Sequence, residues 1–439
     1  MRSKSPKMIL LLLAVTAGLS ALAAGCGGGG GTTEAAPPAT TEAPAATTEA
    51  PSGEPILIGI AAAKTGALAP YDLQPGQAFE MRVEEINAEG GVLGRPLEVE
   101  WLDTTSDKAL AATNAQELID KGAVAILGTC DFDYSAPALF AARDAQVLGM
   151  SLCASSPKVA TPAIVGDFGG SMGEGSDTEG VTMAEWVTEN KPDWKRAWVL
   201  KDNSLEYSQA TADYFVARWE ELGGEICGQA EFVGGEDTDV SAQVTQLRGI
   251  VDQCDFVFDG SWLPGGAVVV RQIRDAGIDL PITSNNSVDG TLLTDVAGPV
   301  SNFYAMASVC IPSYCTGEDN PDVQAFFDKF NEKYGQELTN SYPARGYDLA
   351  SVIAAAIEAA GSTEGPAIAE ALFNTEQIDT LSGPLRFTPE CHRPQPASHV
   401  VLEYTDGQAT VAERWYVKSI PDIGDGSSCS GEQIPVPGQ

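Results

Sequence analysis

The feature that most constrains the fold of this chain is a rhythm of short apolar runs, each followed by an amphipathic stretch that ends at glycine. Residues 55–61 read Pro-Ile-Leu-Ile-Gly-Ile-Ala, which suits a buried strand. Residues 76–87 then place Ala78, Phe79, Val83 and Ile86 at the spacing of one helix face, and Gly90-Gly91 ends that helix. The alternating run 97–102 finishes at Asp103, residues 109–121 predict a second helix stopped by Gly122, and 124–127 is a third apolar run. Strand, helix, strand, helix and strand in this order predict a parallel sheet covered on both faces. The rhythm breaks in the Gly-rich span 166–180 and restarts. Helices are expected at 181–189, 208–222, 240–251 and 267–276, and strands at 197–200, 225–232, 256–258 and 281–283. Two α/β units of similar size separated by a flexible break predict two lobes. Further on, 303–307 is apolar, 322–334 and 347–360 predict helices, and 399–404 and 412–417 alternate around Asp406-Gly407, a hairpin signal.

The chain before this rhythm has a different character. Arg2, Lys4 and Lys7 precede an apolar run at 8–24, the pattern of an export signal. Small residues then lead into Cys26 (Ala23-Ala24-Gly25-Cys26), which resembles the lipidation box of bacterial lipoproteins. Residues 1–25 are therefore expected to be a cleaved signal and Cys26 a lipidated anchor, with an ordinary secretory cleavage as the alternative. Residues 26–54 hold glycines and Thr-Thr-Glu-Ala-Pro-like repeats with no large apolar residue, too little to offset the entropy of ordering. They form a tether with an end-to-end reach of about 30 Å. This places the body at the outer face of the cytoplasmic membrane. The net charge of −36 argues against nucleic acid or anionic lipid as a partner.

Nine cysteines become eight once Cys26 is set aside, and an even number in an exported protein implies disulfides. Cys130 and Cys153 each follow an apolar run, at 124–127 and 147–152, so they sit on neighbouring strand-to-helix turns and are expected to pair. Proximity in sequence suggests Cys227 with Cys254 and Cys310 with Cys315, which leaves Cys391 with Cys429. Zinc is the competing use of the cysteines, but paired CxxC spacing is missing and the chain has two histidines. The same two turns end in Ser135-Ala136-Pro137 and Ser155-Ser156-Pro157, with a hydroxyl as N-cap and proline in the first helical turn. Adjacent turns of this kind present backbone N–H groups and hydroxyls at one sheet edge, a site for a small anionic group.

From Pro55 to Val417 the chain resembles the leucine/isoleucine/valine-type (branched-chain amino acid) solute-binding proteins of bacterial ABC importers. The resemblance rests on Ile86-Asn87-Ala88-Glu89-Gly90-Gly91-Val92-Leu93-Gly94-Arg95-Pro96-Leu97 followed by Asp103. Ile58-Gly59 with Thr65-Gly66, residues 271–277 and Gly383-Pro384-Leu385 add to it. It implies an α/β, two-lobed type I periplasmic-binding fold, each lobe a parallel sheet flanked by helices, joined by three hinge crossovers near 169–175, 309–312 and 387–390. One lobe would combine 55–170 with 310–388 and the other 171–309 with 389–425, leaving 426–439 as a tail. It further implies a monomer without a cofactor, closing on a small polar ligand such as an amino acid, amide or carboxylate. The bound form would be read by an ABC permease, or by a receptor if the protein is a sensor.

The resemblance also carries site residues. Ser155 matches the hydroxyl that holds a ligand carboxylate, with Cys153 as its backbone neighbour; the alternative is that Ser155 only caps a helix. Tyr71 falls where the first loop places an aromatic, and Tyr207 and Trp262 match cleft aromatics of the second lobe, with lobe packing as the other use of Trp262. Two positions depart from the pattern. A family serine is replaced by Phe132 between Asp131 and Asp133, and the acid that pairs with an ammonium falls at Asn286. An amide does not neutralise an ammonium, and a buried unpaired charge is costly. Either Asp131 or Asp133 takes over, or the ligand is not an α-amino acid. A third reading is a secreted hydrolase, because Gly169-Gly170-Ser171-Met172-Gly173 matches the G-x-S-x-G pattern and His392 and His399 follow. Glycines on both sides of Ser171 oppose the strand and helix that such an elbow requires.

Overall fold

The computed structural model describes residues 51–235 and 238–433, so the signal, Cys26 and nearly all of the tether lie outside the described residues. The four apolar runs of the first unit and the Gly-Gly-Ser segment after them form one sheet: β1 (Ile56–Ala62), β2 (Leu97–Asp103), β3 (Ala125–Gly128), β4 (Leu148–Ser151) and β5 (Gly169–Ser171). All pairings are parallel, in the order β2-β1-β3-β4-β5. Between the strands run α1 (Ala69–Ala88), α2 (Lys108–Asp120), α3 (Phe132–Asp144) and the single turn α4 (Pro162–Val165). Side chains alternate along a strand, so the sheet feeds two cores. Ile58, Ile60, Leu127 and Met150 meet Phe79 and Val83 of α1 on one face. Ala61 and Ile126 meet Ala111, Ala115 and Leu118 of α2 and Ala138 and Ala142 of α3 on the other.

The second sheet starts after α5 (Ser176–Asn190). In chain order come β6 (Arg196–Asp202), α6 (Glu206–Glu221), β7 (Glu225–Phe232), α7 (Ser241–Ile250), β8 (Phe256–Gly260), α8 (Gly265–Asp275), β9 (Ile282–Ser284), α9 (Thr291–Ala297) and β10 (Phe303–Ala307). The short β11 (Cys315–Thr316) is followed by α10 (Pro321–Tyr334), α11 (Tyr342–Ala360) and α12 (Gly365–Phe373). The last two return to the first sheet, where Ile353, Ile357 and Leu372 join its core. The chain then makes a small ladder, β12 (Ile378–Thr380) with β13 (Gly383–Leu385), then the hairpin β14 (Ser398–Thr405) and β15 (Gln408–Tyr416), and last a short antiparallel pair, β16 (Ser419–Ile420) with β17 (Gly431–Glu432).

The second sheet runs β11-β15-β14-β10-β9-β8-β6-β7. Its segment β7-β6-β8-β9-β10 is parallel and wound like the first sheet. The parallel sheet expected in each lobe is present, and in the second it is extended by the hairpin expected around Asp406-Gly407. β14 is antiparallel to β10, and β15 to β14. The Asp406-Gly407 turn lets the chain reverse directly, whereas a parallel neighbour needs a crossover. The eight described cysteines pair as expected: Cys130–Cys153, Cys227–Cys254, Cys310–Cys315 and Cys391–Cys429.

The expected helix starts need three corrections. The N-cap of α3 is Asp131, whose carboxylate accepts the Tyr134 N–H, while Ser135 and Pro137 lie inside the helix. After β4 the capping hydroxyl is that of Ser156, and it opens only a 3-10 turn, Pro157–Ala160. The span 166–180 is not a break, since β5 and the start of α5 occupy it. Gly180 sits within α5 because a Cβ there would press on the Thr211 carbonyl and Phe215 of α6.

A similar contact joins α1 and α11. A Cβ on Gly346 would collide with the carbonyl of Pro75, a backbone atom that has little freedom to yield. Gly346→Ala is therefore expected to destabilise the protein by about 1–3 kcal/mol in urea titration. An unchanged midpoint would show that the two helices slide apart at no cost.

Candidate functional site

Both sheets have the strand order that creates a switch point beside their first strand, and ligands of such sheets bind beyond the carboxyl ends of the strands there. In the first sheet the relevant ends are those of β1, β3 and β4. Asp72, in the first turn of α1, ties two of them together: it accepts the N–H of Ala63 after β1 at 2.8 Å and of Cys130 after β3 at 2.7 Å. The Cys130–Cys153 disulfide joins the ends of β3 and β4, with 4.4 Å between the Cα atoms. In the second sheet, β6 leads to Leu205 and Tyr207, β8 to Trp262 and β9 to Ser287.

These two sets of loops line one cavity, with about 340 Å³ of space not occupied by protein atoms. Leu68, Tyr71, Cys130, Asp131, Cys153 and Ser155 come from the first side and Leu205, Tyr207, Trp262 and Ser287 from the second. Tyr342, at the start of α11, closes the ring. Several protein–protein bonds span the cleft. The Tyr71 hydroxyl accepts the Leu263 N–H at 2.9 Å and lies 3.1 Å from the Leu263 carbonyl, to which it donates. Asp133 accepts the N–H of Glu206 at the start of α6 (3.1 Å), and Lys158 pairs with the Glu206 carboxylate at 2.8 Å.

The structure thus brings together Tyr71, Asp131, Cys153, Ser155, Tyr207 and Trp262. It places the other three expected residues elsewhere. Phe132 packs with Leu139, Ala154, Val159 and Val165, because capping by Asp131 turns the next side chain toward the 157–165 segment. Asp133 is committed to the Glu206 N–H. Asn286 is buried behind the cavity, where its N–H donates to Glu179 at 2.9 Å and its side-chain oxygen faces the Ser341 hydroxyl.

Glu179 was not read from the sequence. It is a buried carboxylate on α5 that accepts from the Tyr207 hydroxyl as well as from Asn286, with the Ser155 hydroxyl also stabilising its charge. Burial pushes its carboxyl up despite these partners. Ser287 and Tyr342 were missed too. They lie far along the chain from the loops they join, and no local motif marks them.

Ser171 does not form a hydrolytic site. Its hydroxyl donates to the Ala154 carbonyl at 2.6 Å and accepts the Gly173 N–H. The helix begins only at Ser176. His392 is engaged with the Gly169 carbonyl at 2.7 Å and stacks on Phe373, while His399 meets Thr178 and Glu174.

Comparison with known proteins agrees with this geometry. The chain matches the family model of the periplasmic binding proteins over residues 55–407, and it belongs to that family of solute-binding proteins. It is 24% identical over 355 residues to the Leu/Ile/Val-binding protein homolog 3 of Brucella melitensis, covering 80% of this chain and 92% of that one. It is 27% identical to the leucine-, isoleucine-, valine-, threonine- and alanine-binding protein of Pseudomonas aeruginosa, over 76% of this chain and 86% of that one. Among solved structures, the branched-chain amino acid transporter substrate binding protein LivJ of Streptococcus pneumoniae, in complex with isoleucine, superposes with a TM-score of 0.70. It shares 24% identity over 83% of this chain and 99% of that one. The ABC transporter substrate-binding protein of Sphaerobacter thermophilus reaches 0.71 at 20% identity, over 83% and 98% of the two chains.

Four buried aspartates set a pH dependence. Burial raises Asp72, Asp131 and Asp289 to about 7 and Asp259 to about 8. The unfolded chain titrates these groups near 4 (about 3.9). The folded state therefore holds the protons more tightly, and the stability gained from them is fully present below pH ~4 and lost as pH rises through 7–8. The melting temperature of the ligand-free protein is expected to fall between pH 5 and pH 8, as measured by calorimetry. A rise over that interval would mean that these carboxylates are ionised without penalty.

Proposed function

We propose that the protein is an exported, lipid-tethered solute receptor that captures a small polar molecule, an amino acid or a related amide or carboxylate, and delivers it to an ABC permease. The observation that carries this reading is the single cavity lined by strand ends of both sheets. A ligand there touches both halves at once, so it binds the closed form better than any open one and shifts the population toward closure. The expected lobe bounds shift with the sheets: 55–171 with 321–388 carries the first and 176–316 with 389–425 the second, because Ser171 ends β5 and β11 pairs with β15, and the three passages between the sheets are the hinges. The relatives support the solute class: one is named for five small amino acids and the isoleucine-bound structure shares the fold. Tyr71, Asp131, Cys153, Ser155, Tyr207 and Trp262 make the contacts, with Ser155 holding a polar group of the ligand. The protein works as a monomer held at the outer face of the cytoplasmic membrane through lipid on Cys26.

A thermal-shift screen of amino acids, amides, urea and small carboxylates is expected to yield one clear stabiliser, and X-ray scattering to show a more compact particle with it. Ser155→Ala should weaken that ligand by roughly 1–3 kcal/mol. A flat screen would refute this solute class. Separately, Cys26→Ala should move the protein from the membrane fraction to the medium or periplasm; retention would remove the lipid anchor.

A further inference from the structure

We propose that the ligand of this cavity carries an alkylated ammonium group, seated among Tyr71, Tyr207, Trp262 and Tyr342 with the Asp131 carboxylate as its counter-ion. The inference rests on the solute-receptor reading and narrows it to a substrate class. Three observations lead to it. First, the residues lining the cavity include one carboxylate, Asp131, and no lysine, arginine or histidine. Asp131 is 5% exposed; Oδ1 caps α3 through the Tyr134 N–H, and Oδ2 has no hydrogen-bond partner among the described residues. A carboxylate oxygen that lines the cavity and has no protein donor is a site for a positive group brought by the ligand.

Second, four of the lining residues are aromatic, and they sit close together. Tyr71 lies 5.6 Å from Tyr342 and 6.1 Å from Trp262, centroid to centroid. Ring walls of this kind attract cations through their quadrupoles and suit substituted ammonium groups. Third, most lining hydroxyls are already engaged with the protein. The Tyr71 hydroxyl donates to the Leu263 carbonyl, the Tyr207 hydroxyl to Glu179, and the Ser287 hydroxyl to Ser261 or Asn285. An alkylated nitrogen presents methyl groups to the rings and charge to Asp131, and so asks little of those hydroxyls. The environment of Asp131 agrees. Burial and the Asp133 charge raise its carboxyl, with Lys108 only partly opposing them and Asp72 adding to the rise.

The test uses choline and 3,3-dimethylbutan-1-ol, which share a shape and differ in charge, with the full chain in calorimetric titration and thermal shift. Choline is expected to bind at least tenfold tighter than the neutral alcohol, and Asp131→Asn to erase that difference. Asparagine caps a helix as well as aspartate does, so this variant keeps α3, and a single cooperative melting transition of the ligand-free variant checks the fold. Equal binding of the two probes, or full choline binding by Asp131→Asn, overturns the proposal. If an amino acid, amide or carboxylate stabilises both forms alike while choline does not, the cation proposal falls and the receptor reading stands. If no solute of any class shifts the wild type, both fall.

Discussion

The structure depends on a buried charge network where the chain passes between its two sheets. Glu174 and Asp177 come from the first passage, Ser308 from the second, Arg393 and His399 from the third, and Arg345 from α11. Arg393 grips Asp177 with two parallel bonds, the longer of them 2.8 Å, and Arg345 pairs with Glu174 while its Nε donates to Ser308 at 2.8 Å. Burial lowers His399 to about 4, so at neutral pH its ring is uncharged; Nε2 shares a hydrogen bond with the Thr178 hydroxyl at 2.9 Å and Nδ1 lies 3.0 Å from Glu174. Charges taken out of water in this way are tolerated only when paired, and removal of one partner typically costs about 3–5 kcal/mol. The three passages are therefore fixed to one another at a common point.

The sheet architecture explains why the cavity lies where it does. Each half repeats the same winding, and each presents the loops after its first, third and fourth parallel strands. In the first half Asp72 and the Cys130–Cys153 disulfide lock those ends into one wall. In the second half the corresponding locks are side chain to backbone: the Asn285 amide and the Ser287 hydroxyl both donate to the Ser261 carbonyl, joining the ends of β8 and β9. One wall is covalent and the other is held by hydrogen bonds alone.

Much of this was legible in the sequence, for a physical reason. Parallel strands buried on both faces are short apolar runs cut by glycine, and the strand 225–232 matches β7 residue for residue. The pairing of Cys130 with Cys153 followed from two adjacent turns. What was not legible depended on competition between local signals or on distance along the chain. Ser135 and Ser155 looked like caps, but Asp131 reaches the free N–H groups first, and Ser156 stands one residue nearer to its turn. The glycines of 166–180 suggested a loop, although Gly180 serves the packing of α5 on α6. Glu179 meets Asn286 from 107 positions away, a contact that only the folded chain defines.

The bonds that span the cleft have a consequence for tuning. Tyr71 to Leu263, Asp133 to the Glu206 N–H and Lys158 to Glu206 are bonds of the protein to itself. Each contributes on the order of 1 kcal/mol to closure, a factor of about five in the ratio of shut to open molecules. Apparent affinity scales with that ratio, whereas the choice among solutes is made by the groups inside the cavity. Asp133, Lys158 and Glu206 lie outside it. Evolution or design can therefore reset the concentration at which the receptor fills by changing rim residues, and leave untouched which molecule it prefers.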